Sequence, residues 1–90
     1  MAHTIKEKSR LVARVRRLKG QIDAIERGLE AEVGCADILQ LVASVRGAFN
    51  GLTVELIEDH IRNHVVAAKN NDERAAGADE LIDVVRSYLK

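Results

Sequence analysis

The chain has 90 residues, enough for one domain, and its single cysteine excludes an intrachain disulfide. With only two aromatic residues, it is poorly suited to bind nucleic acid by stacking bases. The formal net charge is zero, but residues 1–20 hold seven basic residues against one acid, and residues 21–90 hold seven against thirteen. Because an anion responds to local potential, the N-terminal segment is where an anionic partner is expected.

No segment approaches the roughly 20 apolar residues that a membrane span needs. The N-terminus also lacks the apolar run of a secretory signal peptide. We therefore expect a cytoplasmic protein that makes no membrane contact. In that compartment the thiol of Cys35 stays reduced.

The first predicted helix covers residues 4–30. Thr4 and Glu7 have the spacing of a capping box, in which two side chains satisfy backbone amides at a helix start. Apolar residues then recur at alternating spacings of four and three, which is typical of a heptad seam: Leu11, Val15, Leu18, Ile22, Ile25 and Leu29. The seam predicts that this helix packs along another helix in a bundle.

A cationic stripe lies on the face of this helix away from the seam. Arg16 and Lys19 flank its members, which recur at helical spacing: Arg10, Arg14, Arg17 and Gln21. Such a face can lie across the phosphates of a duplex without reading base sequence. The alternative is a solvated face of a bundle helix, although the acids that would balance it (Asp23, Glu26 and Glu30) follow only after the stripe. Both interpretations stay open at the level of these residues.

Two more helices are predicted, over residues 35–67 and 72–89. Residues 31–34 form a short connection in which Gly34 is the expected breaker, and Asn70 and Asn71 mark the second break. The second helix is rich in apolar and small residues, and it is long for so short a chain. We expect it to form the shared core of an oligomer, because a 90-residue monomer buries too little apolar surface. The sequence thus predicts one all-α domain over residues 1–90.

His60 and His64 lie four residues apart on one helical face, a spacing at which two imidazoles can share a metal ion. The alternative is a pair of surface or interface histidines. Cys35 begins the same helix about 25 residues earlier, which is some 38 Å away along a straight helix. These groups therefore meet only if two copies of the helix run antiparallel, with Cys35 of one chain facing the histidines of the other.

Imidazoles and one thiolate form a borderline-soft donor set that suits Ni(II), Co(II) or Zn(II). After removal of Met1, the free amine of Ala2 lies close to His3, and both can add nitrogen donors that favour Co(II) and Ni(II). The same thiol and amine are nucleophiles that can add to a small aldehyde. The residues alone do not separate these two chemistries. They supply no oxyanion hole, phosphate loop or substrate pocket, so catalysis is not expected.

Residues 14–21, RVRRLKGQ, resemble the RxRRxxGQ signature of the CsoR/RcnR/FrmR repressors. Cys35, the block VRGAFNGL at residues 45–52, and His60 follow in that family's order and spacing. The resemblance covers essentially the whole chain. It implies a protomer of three helices, an antiparallel dimer, and a tetramer that is a dimer of dimers. It also implies inducer sites between subunits and promoter DNA held by cationic faces until the inducer binds.

The sensing residues are most similar to those of nickel and cobalt sensors, which carry the equivalents of His3, Cys35, His60 and His64. Copper sensors have a second cysteine where this chain has His64, and persulfide sensors need two thiols. Formaldehyde sensors share Cys35, but they carry a proline at the place of Ala2 and an acid at the place of His64. The resemblance therefore implies a Ni(II)- or Co(II)-responsive repressor, with a formaldehyde sensor as the alternative. It also assigns phosphate contacts to five basic residues: Arg14, Arg16, Arg17, Lys19 and Arg46.

Overall fold

A computed structural model describes the backbone of residues 5–90 and the side chains of residues 7–90. It contains three α-helices in chain order, α1 (Ile5–Glu30), α2 (Cys35–Ile61) and α3 (Asn71–Tyr88), and no strand in the part described. The predicted all-α protomer of three helices is therefore confirmed. The predicted capping box at Thr4 lies outside the described residues. None of the helices described is both long enough and apolar enough to cross a membrane.

The contacts of the chain fall into two units, which we describe separately. In the first unit, α1 runs antiparallel to the beginning of α2. Gly28, near the end of α1, lies against Ile38 and Leu41 in the first turns of α2, whereas Arg14 lies against Gly51 further along α2. Gly28 lets the two helices approach closely. A Cβ at this position would lie 2.9 Å from Ile38 Cδ1, which is too close for an ordinary contact.

The predicted seam of α1 divides into two rows of different exposure. Leu11 and Leu18 are buried and Ile25 is half-buried, so this row packs within the chain. The second row stays exposed, with Val15 and Leu29 at 39% and 60% of their full accessible area. Because both rows belong to one heptad pattern, the second row is a surface suited to another helix.

The connection between α1 and α2 is closed by Glu32, which adopts a left-handed conformation with φ of 56°. The amide of Val33 donates to the carbonyl of Gly28 (3.1 Å), and the amide of Glu32 donates to that of Leu29 (3.1 Å). This is the hydrogen-bond pattern of a Schellman motif, which satisfies the last carbonyls of a helix. Gly34 lies in the predicted break, directly before α2, but the residue in the left-handed conformation is Glu32, and no glycine of the described chain has positive φ.

The second unit comprises the end of α2 and the whole of α3 (within Val54–Lys90). The predicted helical segment to residue 67 is matched within one residue, but the α-helix ends at Ile61 and continues as a π-helical turn, Arg62–Val66. The predicted break at Asn70 is confirmed. Its side chain accepts a hydrogen bond from the amide of Glu73 (2.8 Å), which makes Asn70 the N-cap of α3.

We predict that Glu32→Gly stabilises the protein. The left-handed conformation costs a residue with a Cβ about 1–2 kcal/mol, and the greater freedom of glycine in the unfolded chain offsets part of this gain. The expected net rise in unfolding free energy is about 0.5–1 kcal/mol, measured by urea denaturation at matched chain concentration. Gly34→Ala is the control and should not stabilise, because Gly34 caps the start of α2, where glycine is preferred over alanine, and its Cβ would meet only Asp37 Oδ2 at 3.8 Å. A less stable Glu32→Gly variant would contradict this account of the connection.

Candidate functional site

His60 and His64 lie together where α2 passes into the π turn. His60 is in the last turn of the α-helix and His64 is inside the π turn, and both are half-buried. Their ring centroids are 4.8 Å apart and the ring planes are inclined by 38°. The structure thus brings together two of the four predicted metal ligands.

The ring of His60 is oriented by α3. Its Nε2 lies 2.8 Å from the carbonyl oxygen of Gly77. A carbonyl only accepts hydrogen bonds, so this nitrogen carries the hydrogen and, in the neutral ring, Nδ1 keeps a lone pair. A carboxylate oxygen of Glu80 lies 3.9 Å from the same Nε2. Hydrogen bonding of one ring nitrogen to a protein acceptor is the usual arrangement of a histidine that binds metal through the other.

A cleft of about 360 Å³ opens beside His64 in the second unit. Its wall combines polar groups, Asn63, Glu73 and Glu80, with residues that have little or no side chain. Small side chains leave the π turn accessible from this side. Sequence reasoning did not single out Gly77 or Glu80, although their spacing of three places them on one face of a predicted helix.

The other predicted ligands are placed apart from the histidines or are not described. Cys35 is the first residue of α2 and its thiol is exposed. His3 and the N-terminal amine lie outside the described residues. Over residues 7–90, no three histidine, cysteine, aspartate or glutamate side chains converge on a point where they could hold a metal ion. Within the described part of one chain, the site is therefore a histidine pair.

The predicted cationic residues belong to the first unit, and most of them face solvent. Arg16, Arg17, Lys19 and Arg46 are exposed. Arg14 differs, because it is half-buried and its guanidinium lies against Gly51, where a Cβ would overlap it. Arg14 thus packs between α1 and α2, whereas the other four residues, three on α1 and Arg46 on α2, form an exposed basic set.

We predict that neutral His60 carries its hydrogen on Nε2 in the metal-free protein. The Gly77 carbonyl stabilises this tautomer because it can only accept. Long-range ¹H–¹⁵N correlation spectra of the imidazoles, recorded above the titration range of histidine, should show a protonated Nε2 for His60. The His60→Ala spectrum assigns the signals. Hydrogen on Nδ1 would contradict the contact with Gly77.

Comparison with known proteins adds sequence evidence to this geometry. Residues 7–87 match the family described as metal-sensitive transcriptional repressors. The whole chain is 38% identical to the whole of the transcriptional repressor RcnR of Salmonella paratyphi B. It is also 45% identical, again over the full length of both chains, to an uncharacterized protein from the bioA 5′ region of Serratia marcescens.

Two solved structures share the fold. One is a glutamate-to-histidine variant of the formaldehyde-responsive regulator FrmR from Salmonella enterica serovar Typhimurium, with 42% identity, a TM-score of 0.88, and coverage of 96% of this chain and 98% of that one. The copper-sensing repressor CsoR with Cu(I) from Geobacillus thermodenitrificans has a TM-score of 0.91 at 24% identity, over 100% and 94% of the two chains, and so supports the fold alone. These repressors are not enzymes. The chain belongs to the metal-sensitive transcriptional repressor family that includes CsoR, RcnR and FrmR.

Proposed function

We propose that this protein represses transcription by binding double-stranded promoter DNA when metal-free and releases the DNA when Ni(II) or Co(II) binds. The observation that carries the proposal is the histidine pair, with ring centroids 4.8 Å apart and Nε2 of His60 engaged by the Gly77 carbonyl. The pair presents nitrogen donors from a half-buried position, where binding can alter the surrounding structure. The whole-length relative RcnR is itself a transcriptional repressor.

The donor set fits a borderline metal ion. Imidazole nitrogens from His60 and His64 and a thiolate from Cys35 suit Ni(II), Co(II) and also Zn(II), whereas the hard cations prefer oxygen. Additional nitrogen from His3 and the N-terminal amine raises the coordination number, which favours Ni(II) and Co(II) over tetrahedral Zn(II). When bound, the metal ion supplies a charge and a fixed geometry that draw these side chains together.

The site is completed between subunits. The described part of one chain assembles only the two histidines, while Cys35 is exposed at the opposite end of α2 from His60. In an antiparallel pair of α2 helices, Cys35 of one subunit faces the histidines of its partner. Formation of the dimer therefore also forms the inducer site.

The exposed apolar surface supports an oligomer. Among the large apolar side chains described, only Leu11 and Leu18 are buried, whereas Val15, Ile22 and Phe49 are among those exposed by 39–50%. Isolated exposed apolar residues are normal, but rows at heptad spacing are suited to partner helices. A cytoplasmic homotetramer, built as a dimer of antiparallel dimers, covers the exposed rows of α1 and α2.

Promoter DNA is held by the exposed basic set of the first unit. Arg16, Arg17, Lys19 and Arg46 reach solvent and can contact phosphate oxygens. Arg14 contributes through its position between α1 and α2, and so links phosphate contact to the packing of the two helices. Metal releases DNA only if it binds the released conformation more tightly than the DNA-bound one, because coupling between two ligands is reciprocal.

A formaldehyde sensor is the second candidate, favoured by the exposed thiol of Cys35 and by the 42% identity with the FrmR variant. In that chemistry the Cys35 sulfur adds to the carbonyl carbon and the oxygen takes up the thiol proton. Attack by the N-terminal amine then expels water, leaving one methylene group between sulfur and nitrogen. This route uses neither His60 nor His64, so the histidine pair separates the two candidates.

The first prediction is that Ni(II) or Co(II) releases DNA and that His64→Ala and Cys35→Ala abolish release while preserving DNA binding. Fluorescence anisotropy of reduced protein on labelled promoter DNA measures this, with titrations of Ni(II), Co(II), Zn(II), Cu(I) and formaldehyde. The aldehyde candidate would be favoured if formaldehyde releases DNA from the His64→Ala variant and the wild type does not respond to Ni(II) or Co(II). Failure to bind DNA under any condition would contradict the proposal that the protein is a repressor.

The second prediction concerns the exposed basic set. Arg17→Ala should weaken DNA binding and reduce the slope of log K against log salt concentration by about one, because one phosphate contact is lost. Arg17 is exposed, so its removal leaves the packing of α1 and α2 intact. Arg86→Ala, an exposed change near the end of α3, is the matched control and should keep the wild-type slope. Equal salt slopes for Arg17→Ala and Arg86→Ala would show that DNA does not contact Arg17.

A further inference from the structure

The π turn Arg62–Val66 follows α2 directly in the described second unit and contains His64. Its characteristic bond is the one from the amide of Ala67 to the carbonyl of Arg62, 2.9 Å long. Such turns are rare, and they occur frequently at functional sites. Here the turn contains His64 and begins directly after the turn that carries His60. Contacts from α3 hold it in place.

Arg74 binds the C-terminal end of the turn. Its Nε donates to the carbonyl oxygen of Val65 (3.0 Å), and its Nη2 donates to that of Ala68 (3.2 Å). Its Nη1 donates to Oδ1 of Asn71 in the first turn of its own helix (2.8 Å). Carbonyls at the end of a helix lack partners within the helix, and a cation is favoured there by the helix dipole. One guanidinium therefore joins the end of the π turn to the start of α3.

Gly77 fixes the same turn one helical turn further along α3. A Cβ at this position would overlap the carbonyl oxygen of His64 and lie 2.9 Å from its carbonyl carbon, so the two backbones touch. The carbonyl of Gly77 accepts the hydrogen bond of His60. Arg74 and Gly77 are three residues apart and share one face of α3. Together they connect this face with both histidines.

We propose that Arg74 is a positioning residue of the inducer site, which holds the π turn in the register that places the imidazole of His64 beside that of His60. An i→i+5 turn advances each residue by a smaller angle about the helix axis than an α turn does. His64 therefore lies more nearly above His60 than a regular helix would place it. The inference rests on the proposed function, because the groups that Arg74 positions are the metal ligands named there.

Co(II) binding to the reduced, full-length protein tests this role, followed by visible absorption and by competition with a chelator. Arg74→Gln should weaken Co(II) binding about 10–100-fold, the usual effect of removing a residue that orients a ligand, and should shift the ligand-field bands. Arg74→Lys should recover part of the affinity, because its ammonium can still donate to a carbonyl. Arg86→Gln, an exposed arginine of the same helix, is the control and should bind as the wild type does.

Two further measurements separate positioning from general stability. In a His64→Ala background, Arg74→Gln should cause no additional loss of Co(II) affinity, because the residue acts through His64. In the metal-free protein, Arg74→Gln should accelerate hydrogen exchange at the amides of Ala67 and Ala68, whereas Arg86→Gln should not. Equal losses of affinity with and without His64 would assign Arg74 a purely structural role and overturn the inference.

The variants also separate failure of the Arg74 inference from failure of the proposed metal site. Unchanged Co(II) affinity and spectrum in a folded Arg74→Gln variant, with affinity lost in His64→Ala, would overturn this inference alone. Unchanged affinity in both His60→Ala and His64→Ala would overturn the proposed metal site and this inference with it. If far-UV circular dichroism shows that Arg74→Gln is unfolded, Arg74→Lys is judged by the same criteria of affinity, spectrum and dependence on His64.

Discussion

The backbone contact between Gly77 and His64 is the constraint on which the described second unit depends. Because residue 77 has no side chain, α3 approaches the π turn until backbone meets backbone, and its carbonyl reaches Nε2 of His60. A side chain at this position would separate the two elements and remove that hydrogen bond. The orientation of His60 and the backbone contact of His64 thus both depend on the missing side chain at Gly77.

On the proposed function, this arrangement links the inducer site to the packing of α3. Both imidazoles belong to the junction between α2 and the π turn, and α3 touches that junction through Arg74 and Gly77. Because these contacts hold the two rings beside each other, a change in the packing of α3 also changes the spacing of the rings.

The first unit is organised by the division of the heptad seam. One row, which includes Leu11 and Leu18, is used inside the chain, and the other remains exposed. Three residues of the exposed basic set lie on the same helix, so the packing of α1 and the proposed contacts with DNA share one element. Arg14 illustrates this, because the glycine at position 51 lets its guanidinium lie against α2 instead of extending into solvent.

The sequence by itself determined the three helices, their approximate bounds, the family and the candidate ligands. These follow from local signals: apolar periodicity, the break at Asn70 and Asn71, and motifs at fixed spacing. Tertiary structure decided the left-handed Glu32, the π turn after Ile61, and the contacts of Arg74 and Gly77. Each of these depends on groups that are distant along the chain or on backbone geometry that many residue types can adopt. Helical periodicity could not reveal the π turn, because the contacts that hold it come from α3.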